Sequence, residues 1–306
     1  MMYRSPIADR LDRVVVAFVP DLSRNAAQKL IEQGAVSVNG VVRPAKYVVA
    51  VGDTITLSHL PSQPDPQPMP EAIPLDILYE DEDVLIINKA AGMVVHPGVG
   101  NTSGTLVNAV LAHVPDIADI GDAERPGIVH RLDKETSGVM MIAKNPQAQS
   151  TLQAQFKARE VHKTYIAVLL GNIQPPRGLI NKPIGRDPHH RQRMAIVPDG
   201  REAMTEYRVI TALKASVTPS MSLVEAYPRT GRTHQLRVHF ASMGFPIVGD
   251  AVYGGSAIKN HPLSKKLTPR HLLHAYQLSF RLPSSGQIVT YQAVIPSDMQ
   301  AVIDVI

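Results

Sequence analysis

The chain has 306 residues, 44% of them hydrophobic and 19% charged, an ordinary globular composition with material for more than one domain. It has no cysteine, which excludes disulfides and thiolate metal sites and makes a reducing cytoplasm the expected compartment. A formal net charge of +4 permits a polyanionic partner; Met1 to Pro6 lacks a signal-peptide pattern and no apolar run is long enough to span a bilayer, so no membrane role is expected.

The first patterned region runs over residues 10–57. Leu11, Val14, Val15 and Phe18 share one face of a helix predicted from Arg10 to Phe18. Ser23 is the expected N-cap of a second helix, Arg24 to Gln33, whose apolar face is Ala27, Leu30 and Ile31 and whose end is set by Gly34. Val36-Ser37-Val38, Asn39-Gly40 and Val41-Val42-Arg43 read as a hairpin with a type I′ turn, and Gly52-Asp53 turns the chain into Thr54–Leu57. The basic residues of this region are also what an ordinary solvated surface carries.

Residues 58–74 follow, with six prolines in their last fourteen positions, and read as a semi-rigid extended tether between domains. The remainder, 75–306, alternates strands with occasional helices. Val84 to Lys89 is expected as a buried strand, Asn145-Pro146 opens a helix through about Arg159, and Thr164 to Leu170 is a further strand. Without regular strand–helix–strand spacing, the expected class is α+β with a mixed, mostly antiparallel sheet.

Four segments here combine polar chemistry with special backbone residues. They are Val94 to Gly98 with Gly104 to Asn108, the stretch Gly127 to Lys144, Lys163 to Val168, and Arg229 to Phe240 closing on Gly249 to Gly254. In the second, Ile128-Val129 and Val139 to Ala143 read as strands flanking His130-Arg131-Leu132-Asp133-Lys134-Glu135-Thr136-Ser137-Gly138. A rigidly presented Asp133 among cationic side chains suits a nucleophile, although a solvated turn aspartate has the same neighbours. In the fourth, Thr233 onward reads as helix with Gly244 at its end, so that His234 and Arg237 share a face and a guanidinium can meet a carboxylate across a cleft. The basic loop His189-His190-Arg191-Gln192-Arg193 reads equally as a phosphate contact or as solvated surface. His234 and His239 lack the spacing of a His-Glu-x-x-His zinc helix, so no metal is expected.

Taken in this order, the last three segments resemble the RluA/RluD-type RNA pseudouridine synthases over nearly all of 75–290, with His-Arg-Leu-Asp followed by Thr-Ser-Gly as the most specific part. Residues 10–57 resemble the alpha-L RNA-binding motif, which brings the likeness closest to the RluD branch. The resemblance implies Asp133 as the catalytic aspartate, Tyr165 as the active-site tyrosine and Arg237 as the partner of the aspartate. It implies Arg131 as the side chain filling the space of a flipped base, with His130, Arg232 and His234 beside the substrate. Arg24 and Lys29 would meet RNA phosphates, joined by Arg191 and Arg193. The reaction implied is isomerisation of uridine, without cofactor or metal, in structured RNA such as large-subunit ribosomal RNA, by a monomer. Transfer RNA as the target, or a non-catalytic ribosome-assembly factor of the same fold, are the competing readings. A kinase is excluded because Leu132 interrupts His-Arg-Asp, and a glycosidase would need a second carboxylate opposite Asp133.

Overall fold

The computed structural model describes residues 1–19, 22, 24–58, 67–98, 101–121, 125–190, 193–212, 220–254 and 270–304. The chain divides into two compact units, Met1–Gln67 and Pro68–Ile306.

The first unit contains β1 (Met2–Arg4), β2 (Asp9–Arg10), α1 (Leu11–Phe18), α2 (Arg24–Glu32), β3 (Val36–Val38), β4 (Val41–Val42), β5 (Val48–Val49) and β6 (Thr54–Leu57). Its main sheet has the order β1-β6-β3-β4. The apolar faces of α1 and α2 close over Val36, Val38, Ile55 and Leu57 as one core. Asn39 and Gly40 both take positive φ, 50° and 80°, as a type I′ turn demands. The expected cap Ser23 lies outside the described residues. Asp12 of α1 is fully buried, and its carboxylate accepts hydrogen bonds from Arg10 (3.0 and 2.9 Å), Arg24 (3.0 Å) and Gln28 (2.6 Å). Burial pushes this carboxyl up, but those bonds outweigh burial and hold it well below the usual range. Asp12 therefore ties the two helices together.

Of the proline-rich stretch, residues 59–66 lie outside the described residues. The chain after them is fastened to the second unit: the Asn108 amide donates to the Met69 carbonyl at 2.7 Å, and the Glu71 carboxylate accepts the Gly104 N–H at 3.0 Å.

The second unit comprises β7 (Ile77–Glu80), β8 (Val84–Lys89), α3 (Leu106–His113), β9 (Ser137–Ala143), α4 (Pro146–Ala158), β10 (His162–Leu170), β11 (Arg177–Asn181), β12 (Ile184–Arg186), β13 (Met194–Ile196), β14 (Met204–Ala212), β15 (Met221–Pro228), α5 (Gln235–Ser242), β16 (Leu273–Arg281), β17 (Ile288–Gln292) and α6 (Ser297–Ile303). Its large sheet runs β11-β14-β15-β10-β16-β9-β8-β7, with β17 also paired to β16. The β16–β9 pairing is parallel and the other pairings in this sheet are antiparallel. Both faces of β8 and β9 are covered, which is why their sequences are continuously apolar rather than alternating. Leu85, Ile87, Met140 and Ile142 pack under α3, while Val84, Ile86, Val139 and Met141 pack with Ala148 and Leu152 of α4. Helix α3 opens on a capping box in which Thr105 and Asn108 bond reciprocally. Among the described residues no helix is long and apolar enough to cross a membrane.

Two local expectations differ from the structure. Ile128-Val129 forms no strand; Ile128 makes a single bridge to Ile142, and the neighbouring Met141 N–H is taken by the His130 ring rather than by backbone. Helix α5 begins at Gln235, because His234 takes the left-handed conformation, φ 56°.

Candidate active site

His130 to Asp133 is an extended segment whose side chains alternate. Leu132 is buried in the core beneath α3, and the His130 ring lies 5.1 Å from that of Phe156. The intervening Arg131 is exposed and Asp133 faces a cavity. His130 Nε2 accepts the Met141 N–H at 2.9 Å. Burial, and then the nearby Lys163 charge, push its pKa down to about 3, so the ring is neutral.

The turn after Asp133 is held from two sides. The buried Lys89 amine donates to the carbonyls of Ala90 (2.8 Å), Met93 (2.9 Å) and Lys134 (3.1 Å). Burial pulls the pKa of Lys89 down to about 8. On the other side Arg270 donates to the Glu135 carbonyl at 2.9 Å while its fork is held by Asp298, and His271 bonds the Thr136 hydroxyl. Gly138 then enters β9 at φ 117°, and a Cβ there would lie 2.2 Å from the Ala275 carbonyl oxygen. Only glycine lets β9 run this close to β16.

Arg237, on the first turn of α5, reaches Asp133 through Nη1 at 3.1 Å. The bidentate partner of Arg237 is a different carboxylate: Asp250 accepts from Nε at 2.7 Å and from Nη2 at 3.0 Å. Asp250 also accepts the Val252 and Tyr253 N–H groups. Burial would raise the Asp250 carboxyl, but Arg237 and those amides outweigh it and hold it below the usual range. For Arg237 the balance runs the same way: burial works against its charge, and Asp250 and Asp133 more than restore it. The guanidinium is thereby a fixed cation that bonds Oδ2 of Asp133 and leaves Oδ1 without a hydrogen bond among the described residues. Among the described residues Asp133 pairs with Arg237, and with neither Arg131 nor Lys134, the cations nearest in sequence.

The cavity has a volume of about 360 Å³, within the range of small-molecule sites. Asp133, Tyr165, Lys163, Arg232, His234 and Arg237 all line it, as do His130 and Arg131. Tyr165 is placed there by an irregularity: the β10–β16 register shifts between Thr164 and Tyr165, and such a bulge re-aims a side chain. Its ring packs against the core on both sides, and burial, with the Asp133 charge second, pushes its hydroxyl well above the usual tyrosine value. Lys163, two residues earlier, has its pKa pulled down to about 8 by burial. Arg232 is fixed by donating from Nε to the Glu202 carbonyl at 2.9 Å.

The expected RNA contacts are distributed elsewhere. Arg24 opens α2 with its guanidinium half exposed and one edge on Asp12, and Lys29 is exposed on the last turn of the same helix. Arg193 is exposed at the mouth of the β12–β13 hairpin; Arg191 lies outside the described residues. Sequence reasoning missed Asp250, Lys89 and Arg270. Asp250 stood in a segment singled out for its glycines, so its position was signalled and its role was not.

With this geometry established, comparison with known proteins places the chain. Residues 83–242 match the RNA pseudouridylate synthase family, and residues 9–55 match the S4 domain. An RNA pseudouridine synthase of Synechocystis is 44% identical over 95% of this chain and 87% of its own length. The ribosomal large subunit pseudouridine synthase D of Nitrosomonas europaea is 42% identical over 97% of this chain and 84% of its own. Among solved structures, human RNA pseudouridylate synthase domain containing 1 superposes with a TM-score of 0.57 at 30% identity, covering 73% of this chain and 84% of that one. The chain that carries this cavity thus belongs to the RNA pseudouridylate synthase family, with an S4 domain ahead of the family match.

Proposed function

We propose that this enzyme converts specific uridines of large-subunit ribosomal RNA to pseudouridine, with Asp133 as the reacting group. The observation that carries this reading is the Asp133 carboxylate at the cavity, with Oδ2 held by Arg237 and Oδ1 accepting no hydrogen bond among the described residues. The isomerisation breaks the N-glycosidic bond, turns the uracil and rejoins it through carbon, with no net redox change. A carboxylate at the sugar serves it either as a nucleophile at the anomeric carbon or as the base that starts an elimination. Both routes begin at the same oxygen.

A base stacked in RNA has to be extruded before Asp133 can meet its sugar, at a cost of a few kcal/mol. Exposed Arg131 at the cavity rim is suited to fill the vacated stack, and the Tyr165 ring to receive the uracil. The Tyr165 hydroxyl is a neutral phenol at working pH. If Asp133 becomes esterified to the sugar, its charge disappears, which removes one of the two causes raising the hydroxyl and makes the phenolate, the form that can take up the proton leaving the base, easier to reach. His130 holds the loop, and Arg232 and His234 border the bound nucleotide.

Ribosomal RNA as the target is supported by relatives named ribosomal large subunit pseudouridine synthase D, which align along almost the whole chain, S4 domain included. Arg24 and Lys29 of α2, with Arg193 and Arg191 of the second unit, supply phosphate contacts. The reading carries with it a monomer, acting in the cytoplasm where a ribosomal RNA substrate is found. The test is Asp133→Asn: pseudouridine is expected to vanish from the target position in cellular RNA while affinity for that RNA stays within about twofold, since phosphate contacts dominate binding. Normal modification in cells carrying only this variant removes Asp133 from the chemistry.

A further inference from the structure

His234 stands in a conformation that calls for an explanation. It is a non-glycine residue in the left-handed region, φ 56° and ψ 22°, a placement that costs energy and persists only where surrounding contacts impose it. The conformation turns its ring so that Nδ1 lies 2.7 Å from the Tyr253 hydroxyl and Nε2 lies 3.8 Å from Asp133 Oδ1. Oδ1 is the oxygen that Arg237 leaves free.

The direction of the Tyr253–His234 bond follows from a third group. The Tyr253 hydroxyl oxygen already accepts the Met194 N–H of β13 at 3.0 Å. Its own proton needs an acceptor, and His234 Nδ1 is the one within reach among the described residues. If Nδ1 instead carried the proton, the hydroxyl would face two donors with its own hydrogen unplaced, and Nε2 would point a lone pair at a carboxylate. Burial lowers the His234 pKa, so the ring carries one proton rather than two.

We propose that Tyr253 is a positioning residue that fixes His234 as its Nε2–H tautomer, so that the imidazole presents a hydrogen-bond donor beside the reacting oxygen of Asp133. This rests on the reading that Asp133 is the reacting group. The support for Tyr253 comes from the same carboxylate that orients Arg237: Asp250 accepts the Tyr253 N–H at 3.0 Å, and the Arg237 guanidinium lies 5.0 Å from the Tyr253 ring centre. Asp250 therefore sets both flanks of Asp133, a cation on Oδ2 and a neutral donor beside Oδ1. At 3.8 Å the donor is not yet bonded to Oδ1. A substrate hydroxyl about 2.8 Å from each atom fits beside that pair, accepting from Nε2–H and donating to Oδ1. The hydroxyl adjacent to the anomeric carbon in a ribonucleotide has that chemistry, and a deoxyribonucleotide lacks it.

The tautomer is read without substrate. In the full chain with 15N-labelled histidine at neutral pH, the His234 Nε2 is expected at the protonated, pyrrole-like shift and Nδ1 at the unprotonated one. Tyr253→Phe is expected to convert this to a mixture of tautomers and to lower kcat about tenfold, the worth of one neutral hydrogen bond, with KM within twofold. His234→Gln, which retains a donor amide, is expected to keep more activity than His234→Ala. A wild-type spectrum with Nδ1 protonated, full kcat in Tyr253→Phe, or equal activity of the Gln and Ala variants overturns the proposal. Because the spectrum does not depend on turnover, an active Asp133→Asn enzyme would defeat the catalytic reading and leave the tautomer assignment standing.

Discussion

Replacing Asp250 by asparagine tests how the Arg237 cation is held. Oδ1 of Asp250 takes three donors, Arg237 Nη2 (3.0 Å), Val252 N (2.9 Å) and Tyr253 N (3.0 Å), while Oδ2 takes Arg237 Nε alone at 2.7 Å. An asparagine will keep its one oxygen at the threefold position, so its NH2 group will oppose Arg237 Nε, donor against donor, in a site the Asp250 side chain shares with no solvent. Breaking a buried ion pair from one side costs about 3–5 kcal/mol, and the surviving contact with Asp133 places the expected loss near the lower end, about 3 kcal/mol. There is no tryptophan, so unfolding of the second unit is best followed by far-UV circular dichroism in urea. With a slope of about 3 kcal/mol per molar for a domain of this size, the midpoint should fall by about 1 M at pH 7. The pH dependence has a definite sign. The folded Asp250 pKa lies below its unfolded value of about 3.9, so its contribution is complete above that value and is lost as pH falls through the folded one. Wild type and Asp250→Asn should therefore converge below about pH 4. A midpoint loss under about 0.3 M at pH 7, or a gap that persists in acid, would refute the assignment of Asp250 as the principal partner of Arg237.

Three further outcomes are expected. Lys89 is depressed to about 8 when folded against about 10.4 unfolded, so between these values the unfolded chain binds more protons and wild-type stability should rise with pH; because Lys163 is depressed to about 8 as well, Lys89→Met should remove only the Lys89 share of that rise in urea titrations, and should slow modification by releasing the Lys134 carbonyl. Gly138→Ala should cost about 3 kcal/mol or more in the same unfolding assay, because its Cβ would meet the Ala275 carbonyl at 2.2 Å; a loss under 1 kcal/mol would mean β9 and β16 can part. Deleting residues 1–67 should weaken binding to structured ribosomal RNA and flatten the slope of log affinity against log salt, measured by filter binding; an unchanged slope would show that the S4 domain makes no phosphate contacts.

The parts of the fold that could be read from sequence are those decided locally. Helices α1 and α2, the Asn39-Gly40 turn and the opening of α4 at Asn145-Pro146 depend on residues within a turn or two of each other, and these formed as expected. What could not be read depends on pairings across the sheet. Ile128-Val129 has strand composition, yet it meets β9 only through the Ile128–Ile142 bridge and the Ala143 N–H to Gly127 carbonyl bond, because the next β9 donor, the Met141 N–H, goes to the His130 ring instead of to backbone. The bulge that aims Tyr165 arises from β10 accommodating an extra residue of β16, more than a hundred positions away. The capping box of α3 was legible in principle, since Thr105 and Asn108 stand three apart before an apolar run, but the glycine before them obscured it.

The same division separates the groups that meet the cavity from those that hold them. Asp133, Tyr165 and Arg237 were indicated by the resemblance of their segments to the RNA pseudouridine synthases, and the fold brings the three side chains to one cavity. Lys89 and Arg270 act through backbone carbonyls 45 and 135 residues away, and a lone lysine at the end of a strand reads as surface charge. His130-Arg131-Leu132-Asp133 is intelligible once these supports are seen. Its alternation sends a neutral ring and a leucine inward to fix the strand-like path, and sends an arginine and an aspartate outward to the cavity. Each outward residue depends on the inward one beside it, and the carboxylate at the end depends further on Arg237, whose orientation belongs to Asp250. A change at Asp250 or Lys89 should therefore alter chemistry without touching substrate, through the position of a single oxygen.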